Sequence, residues 1–138
     1  DSLVEMVDLY PTLGDLAGLN VPTDLDGRGF APLLKDPQAP GRDVVLSQFN
    51  RPWTSTTPEV MGYSIRTKNA RYTRWVDWQS RETITEELYD YSGSQSATLH
   101  SGHLIEQQNI AASQPDLLEL MNDQMDELLA SRLQEARK

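Results

Sequence analysis

The sequence predicts an α+β fold: a small antiparallel sheet of about four strands packed against a long C-terminal helix, with an N-terminal helix ahead of it. Three observations lead there. Apolar residues recur at three- and four-residue steps over 2–19, and again over 115–136. Between them, 61–78 alternates with period two on either side of Lys68, Asn69 and Ala70. A sheet and an amphipathic helix each need a second layer to bury their apolar faces, so this order of elements reads as a two-layer unit.

Over 2–19 the periodic residues are Leu3, Met6, Val7, Leu9, Tyr10, Leu13, Leu16 and Ala17. Pro11 lacks an N–H and clashes with the preceding turn of a continuing helix. Either the main helix starts near Asp8, with Asp8 as cap and Pro11 in the first turn, or a longer helix kinks at the proline. The start near Asp8, after a short helical turn, is the favoured solution. Gly18 is a natural stop, because glycine enters the left-handed region without penalty. Residues 20–43 are loop-like, with room for one helical turn at Phe30, Leu33 and Leu34. Residues 44–49 have strand composition, and 50–58 form a polar loop with Arg51, Pro52 and Trp53.

The hairpin follows. Met61, Tyr63 and Ile65 share one face, with Ser64 and Arg66 on the other. In the partner strand Tyr72, Val76 and Trp78 share a face, opposite Thr73, Trp75 and Asp77. Asn69 suits the turn because it tolerates positive φ. Residues 87–90 are a fourth strand candidate, and 91–113 read as loop with room for a short helix at 104–108. Over 115–136, Leu117, Leu118, Met121, Met125, Leu128, Leu129 and Leu133 make one apolar stripe. Ser113 and Asp116 resemble a capping pair. Arg132, Arg137 and Lys138 suit the negative end of the helix dipole.

The 138 residues are read as a single domain, 1–138. A domain of that size buries roughly 65–70% of the surface its unfolded chain exposes. Hydrophobic residues make up only 38%, which suits a piece that packs on something larger and equally a wet independent domain. The net charge of −9 repels phosphate backbones and anionic lipid, which argues against nucleic-acid and membrane partners. Without cysteine there is no disulfide, thiolate metal site or cysteine nucleophile. No apolar run approaches the roughly 18 residues of a membrane span. The chain opens directly in apolar periodic sequence with no signal peptide, as a truncated or processed chain would.

Few residues suggest chemistry. His100 and His103 could face one metal ion if helical, but they sit in a Ser/Gly-rich stretch with no third ligand, and read as loop histidines. Asp24, Asp26 and Gly27 resemble the start of a calcium loop but lack its later acidic positions, so Asp26 and Gly27 read as a turn. No Gly-x-Ser-x-Gly elbow and no phosphate-binding glycine loop occurs. Trp53, Trp75 and Trp78 with Arg51, Arg66, Arg71 and Arg74 could bind a sugar or an anion, since guanidinium groups grip carboxylate or sulfate with forked hydrogen bonds. Aromatic packing on the sheet is the simpler account of Trp75 and Trp78. Arg51 and Trp53 lie on a loop, where function concentrates.

Several stretches resemble one family in order: Val-Asp-Leu-Tyr-Pro-Thr-Leu at 7–13 with Asp-Leu-Ala-Gly-Leu at 15–19, Leu-Asp-Gly-Arg at 25–28, and Pro-Leu-Leu at 32–34. Leu-Ser-Gln-Phe at 46–49 follows, with Arg51 and Pro52. The strongest is Met-Gly-Tyr-Ser-Ile-Arg-Thr at 61–67 with Arg-Tyr-Thr at 71–73 and Trp75-Val76. Glu-Leu-Tyr-Asp at 87–90 and Asn-Ile-Ala at 109–111 complete the series. Together they resemble the C-terminal subdomain of sulfatases of the iduronate-2-sulfatase type, in the alkaline phosphatase-like superfamily. One departure is that 91–103 lacks the family's Asp-Pro turn and is longer.

The resemblance implies sulfate-ester hydrolysis by a parent enzyme that uses a formylglycine, made within Cys/Ser-x-Pro-x-Arg, and a calcium ion. Neither that motif nor any cysteine is present, so it implies catalytic residues: none, metal: none, and no cofactor in this chain, which alone should be inactive. The implied partners are an N-terminal sulfatase catalytic domain and, through the parent enzyme, a sulfated carbohydrate. The implied location is exported: periplasmic, extracellular or lysosomal. Gln48, Arg51 and Trp53 are the first candidates for substrate contact. A freestanding carbohydrate-binding or interaction module of the same fold is the alternative.

Overall fold

A computed structural model describes residues 2–53, 56–92 and 106–135. The chain divides into two compact units, Asp1–Val45 and Leu46–Lys138.

In the first unit a 3-10 turn, Met6–Asp8, leads into α1, Leu9–Leu16. The start near Asp8 is as the proline position requires. Gly18 ends the helix at φ +66°, as expected of a glycine C-cap. Asp8, however, is not simply a cap for α1. Its carboxylate turns back to the Glu5 N–H at 2.9 Å and closes a capping box around the 3-10 turn. A second short helix, α2, spans Ala31–Lys35 with Pro32 at its start, where a missing N–H is harmless.

Four strands, the first beginning at the last two residues of the first unit, form an antiparallel meander in the order β1-β2-β3-β4. They are β1 Val44–Arg51, β2 Val60–Thr67, β3 Ala70–Asp77 and β4 Thr83–Asp90. β1 runs through Asn50 and Arg51, two residues beyond the expected strand. Ile65 pairs with Tyr72 and Tyr72 with Leu88 across the sheet. All three side chains are fully buried, and Met121 and Met125 of the long helix are buried with them. That helix, α3, spans Pro115–Glu135 and packs on β3. Leu117, Leu118, Leu128 and Leu129 are half-buried around the two methionines; the side chain of Leu133 lies outside the described set. A polar lock ties helix to sheet. Arg74 Nη1 donates to Asn122 Oδ1 at 2.7 Å and Arg74 Nη2 to Asp126 Oδ1 at 2.6 Å. The Tyr72 hydroxyl lies 2.5 Å from Glu86 Oε1 and 3.0 Å from Asn122 Oδ1.

Four local expectations are corrected. Asn69 does not take positive φ; among the described residues only Arg81 does so outside glycine, at 64°. The β2–β3 turn is held instead by the Thr67 hydroxyl, which accepts the Asn69 N–H at 3.3 Å and the Ala70 N–H at 3.0 Å. A side-chain oxygen that gathers two backbone donors removes the need for a left-handed residue. Ser113 does not cap α3. It belongs to a 3-10 turn, Ala111–Ser113, and its Oγ donates to the Ile110 carbonyl. Pro115 fixes the first helical position, so the cap position falls on Gln114, whose carbonyl accepts the Leu118 N–H. Trp78 lies past the end of β3, in the turn beneath the Arg81 guanidinium, 4.2 Å from the ring centre. The helix with room at 104–108 is absent over 106–108, which form a turn.

Candidate functional site

Alternation along the strands separates two faces of the sheet. Ile65, Tyr72, Val76 and Leu88 point to α3. The opposite face carries Gly62, Ser64, Arg66, Arg71, Thr73, Trp75, Glu87 and Tyr89, and it is polar and aromatic rather than apolar. Gly62 pairs directly with Trp75. A Cβ on Gly62 would fall 2.6 Å from Trp75 Cζ3, so the glycine is what lets the indole lie across β2. The indole Nε1–H donates to Glu87 Oε1 at 2.9 Å, and the Tyr89 hydroxyl donates to Glu87 Oε2 at 3.0 Å. Burial and the Glu87 carboxylate push the Tyr89 phenol upward. The Arg51 guanidinium sits over the Trp75 ring, 4.8 Å from its centre. Trp75 is thus committed to packing, as its sequence suggested.

Further along the same face Arg66 and Arg71 are direct cross-strand partners. Arg71 Nη1 meets Glu106 Oε1 at 2.8 Å and Arg71 Nε donates to Ser64 Oγ at 3.2 Å. The Tyr91 hydroxyl donates to the same Glu106 oxygen. Arg66 has a different environment. Its guanidinium carbon lies over the Tyr91 ring, 3.4 Å from the ring centre, and Nη1 donates to the carbonyls of Thr67 and Ala70 at the turn. Burial would raise the Glu106 carboxyl, but hydrogen bonds from Tyr91 and Arg71 outweigh it and hold the group below its ordinary value. Burial, then the neighbouring Arg71 charge, lowers the Arg66 guanidinium.

The three predicted contact residues do not converge. Gln48 and Arg51 both belong to β1, and their odd spacing puts them on opposite faces of a regular strand. Both are exposed. Trp53 follows the strand and is 73% exposed. Arg51 reaches Trp75, not Trp53. Arg74, grouped with the other arginines in the sequence, points to α3 and is used in the polar lock. His100 and His103 fall outside the described residues. Asp26 and Gly27 form a close approach: a Cβ on Gly27 would lie 2.0 Å from the Val7 carbonyl oxygen, so glycine is required there on contact grounds.

The first unit inverts the usual helix pattern. Glu5, Asp8 and Thr12, spaced along one face, are buried at 8%, 1% and 2% exposure. Asp8 accepts from the Glu5 N–H, the Arg28 N–H at 2.7 Å, Arg42 Nε at 3.0 Å and Arg42 Nη2 at 2.6 Å. Burial alone would raise this carboxyl, but those hydrogen bonds and the Arg42 charge hold it below its ordinary value. Thr12 Oγ1 accepts the Phe30 N–H and donates to the Asp8 carbonyl. Meanwhile Met6, Tyr10, Leu13 and Leu16 are exposed, from 52% at Leu16 to 81% at Met6. Sequence periodicity finds this apolar stripe but cannot tell which way it faces.

The groups implied for the parent enzyme do not fit these residues. Among the described residues no three His, Cys, Asp or Glu side chains come together as metal ligands, and the Cys/Ser-x-Pro-x-Arg motif in which formylglycine arises is missing. No chemical step is assigned here to either group. Among the described residues, no helix is long and apolar enough to cross a membrane.

Comparisons with known proteins place these features. No family model matches the chain. It is 38% identical over 112 residues to human iduronate 2-sulfatase, an alignment covering 59% of this chain and 20% of that protein. It is 35% identical over 86 residues to the Delta 4,5-hexuronate-2-O-sulfatase of Bacteroides thetaiotaomicron, covering 61% of this chain and 16% of the relative. A solved 2-O GAG sulfatase superposes with a TM-score of 0.65 at 26% identity, over 94% of this chain and 25% of the solved one. The chain is sulfatase-like in sequence and in fold, and it spans about a sixth to a fifth of the length of the curated relatives cited.

Proposed function

We propose that this chain is the non-catalytic C-terminal part of a sulfuric ester hydrolase, acting as one domain that packs on a sulfatase catalytic domain and shapes the pocket for a sulfated sugar. One observation carries the reading: the turn Met6–Asp8 and α1 bury Asp8 and Thr12 while Met6, Val7, Tyr10, Leu13 and Leu16 are exposed. Exposed apolar stripes of this kind mark interaction surfaces. The coverage of the relatives supports it, because most of a sulfatase lies outside the matched part. In this reading calcium and formylglycine belong to the catalytic domain, and the enzyme is exported. Arg51 and Trp53, exposed at the end of β1, contact the sugar in this reading; Gln48, on the opposite face of that strand, does not share the contact.

The test uses a full-length enzyme that contains this chain. With calcium and a matured Cys/Ser-x-Pro-x-Arg motif it turns over an aryl sulfate, and the 138-residue chain alone does not. Met6→Glu with Leu13→Glu should abolish soluble, active enzyme. Turnover by the isolated chain, or full activity in the doubly charged variant, removes the proposal. The exposed Trp53 keeps a second reading in play, a freestanding carbohydrate-binding module. It requires saturable binding of a sulfated oligosaccharide by the isolated chain, weakened by Trp53→Ala.

A further inference from the structure

Like charges placed directly opposite on neighbouring strands destabilise a sheet. Arg66 and Arg71 occupy such positions on β2 and β3. Only one carboxylate, Glu106, bonds the pair among the described residues, and it bonds Arg71. Arg66 is bonded by no carboxylate there; its partners are two backbone carbonyls and the Tyr91 ring. Two cations and one carboxylate leave a formal local charge of +1 on a chain whose net charge is −9.

The geometry is also preformed. The Tyr91 ring lies beneath the Arg66 guanidinium carbon, and the turn carbonyls hold Nη1. Among the described residues Arg66 Nε and Nη2 have no hydrogen-bond partner and are not fully buried, which leaves a fork of donors unused there. Ser64 Oγ, 2.8 Å from Thr73 Oγ1 and 3.2 Å from Arg71 Nε, places a hydroxyl beside the pair. A preorganised guanidinium loses little side-chain freedom on binding a tetrahedral or planar oxyanion.

We propose that Arg66 and Arg71, backed by Tyr91 and Ser64, form a binding site for one oxyanion, the sulfate ester of a sulfated glycan. The glycan identity rests on the sulfatase reading above; the anion site itself rests on the arginine pair. A bound sulfate removes the mutual repulsion that Glu106 only half offsets.

The test is performed on the 138-residue chain, by NMR of the arginine Nε–Hε groups and the Tyr91 ring. The probes are sodium sulfate, sodium chloride at matched ionic strength, a 2-O-sulfated disaccharide and its desulfated counterpart. Sulfate and the sulfated disaccharide should shift the Arg66, Arg71 and Tyr91 signals saturably, while chloride and the desulfated sugar should not. Response to inorganic sulfate but not to the sulfated disaccharide overturns the glycan assignment. Arg66→Gln should weaken binding about tenfold or more, the loss expected for a charge-assisted fork. Arg66→Lys keeps the charge, protects the test against a variant that fails to fold, and should still weaken binding several-fold. Arg81→Gln, at the far turn, should change nothing. Unchanged binding in Arg66→Lys, or equal shifts with chloride, overturns the site. Neither result touches the docking of the apolar stripe, which is read from activity and solubility of the full-length enzyme.

Discussion

Replacing Gly62 by alanine tests whether the Trp75 indole is as tightly placed as the sheet implies. The new Cβ would lie 2.6, 2.9 and 3.0 Å from three indole atoms, against about 3.5–4.0 Å for carbon atoms in contact. The ring would have to move by about 1 Å to restore that contact. It is not free to do so without loss, because Nε1 is bonded to Glu87 at 2.9 Å and Arg51 covers the ring. Overpacking of this kind costs about 1–3 kcal/mol, and a weakened hydrogen bond adds about 1 kcal/mol. Alanine recovers about 0.5–1 kcal/mol through its lower backbone entropy in the unfolded chain. The net expectation is a loss of about 1–3 kcal/mol, or about 3–10 °C in melting temperature. Urea and thermal unfolding followed by circular dichroism would measure it. The same substitution in a Trp75→Leu background should cost much less, because the obstructing ring is gone. Gly62→Ala as stable as the parent, or an equal cost in both backgrounds, would refute the reasoning.

Other perturbations probe the Asp8 cluster, the Tyr72 hydroxyl and the Arg81 turn. Asp8→Asn should destabilise the chain by about 3 kcal/mol, since it breaks a buried, multiply bonded carboxylate pair. Asp8 titrates below its ordinary value in the folded state. Its contribution is therefore complete above about pH 4 and is lost as pH falls through the folded value; acid unfolding curves of the parent should be steeper than those of Asp8→Asn. Tyr72→Phe should cost about 1–2 kcal/mol by removing a buried hydroxyl from Glu86 and Asn122, read by urea unfolding. Burial and the Glu86 hydrogen bond raise the Tyr72 phenol. That stabilisation is present below about pH 10 and lost as pH rises through the folded value, so a spectrophotometric titration should find one tyrosine that ionises only with unfolding. Arg81→Val should cost about 1–2 kcal/mol because a β-branched residue resists positive φ. Arg81→Gly should stay within about 0.5 kcal/mol of the parent, with relief of strain offset by loss of the Trp78 contact. Melting curves of both variants check this.

The sheet and α3 were legible in the sequence because period and composition agree there. Ile65, Tyr72, Leu88, Met121 and Met125 are apolar, correctly spaced and buried. The Thr67 turn was not legible, since a hydroxyl that organises its own backbone looks like any exposed threonine, while asparagine advertises a turn it does not make by positive φ. Asp8 was visible as a helix-start residue but not as the partner of Arg42 and Arg28, which lie 34 and 20 residues away. Arg66 and Arg71 were legible as anion-binding candidates among four arginines, but not as a facing pair. Arg66 and Arg71 are five apart in the chain, but their opposition depends on the turn between them, and Tyr91 and Glu106 approach only in the fold. Of the sequence candidates, Arg51 had a signal in its loop-flanking position, whereas Gln48 could be assigned a face only once the extent of β1 was known.

The inverted polarity of the first helix has a kinetic consequence. Its shape is fixed from behind, by Asp8 and Thr12 gripping the loop at Arg28 and Phe30, and not by burial of Met6, Tyr10, Leu13 and Leu16. The apolar side chains are therefore displayed on a helix that is already formed. A surface set in advance needs no ordering on encounter, which favours rapid docking. The same preset surface is a hazard while a protein is being assembled, because another copy can meet it first. Concentration, more than sequence, then decides between productive assembly and self-association, and charged substitutions on the stripe should raise the solubility of the isolated chain even as they abolish its use.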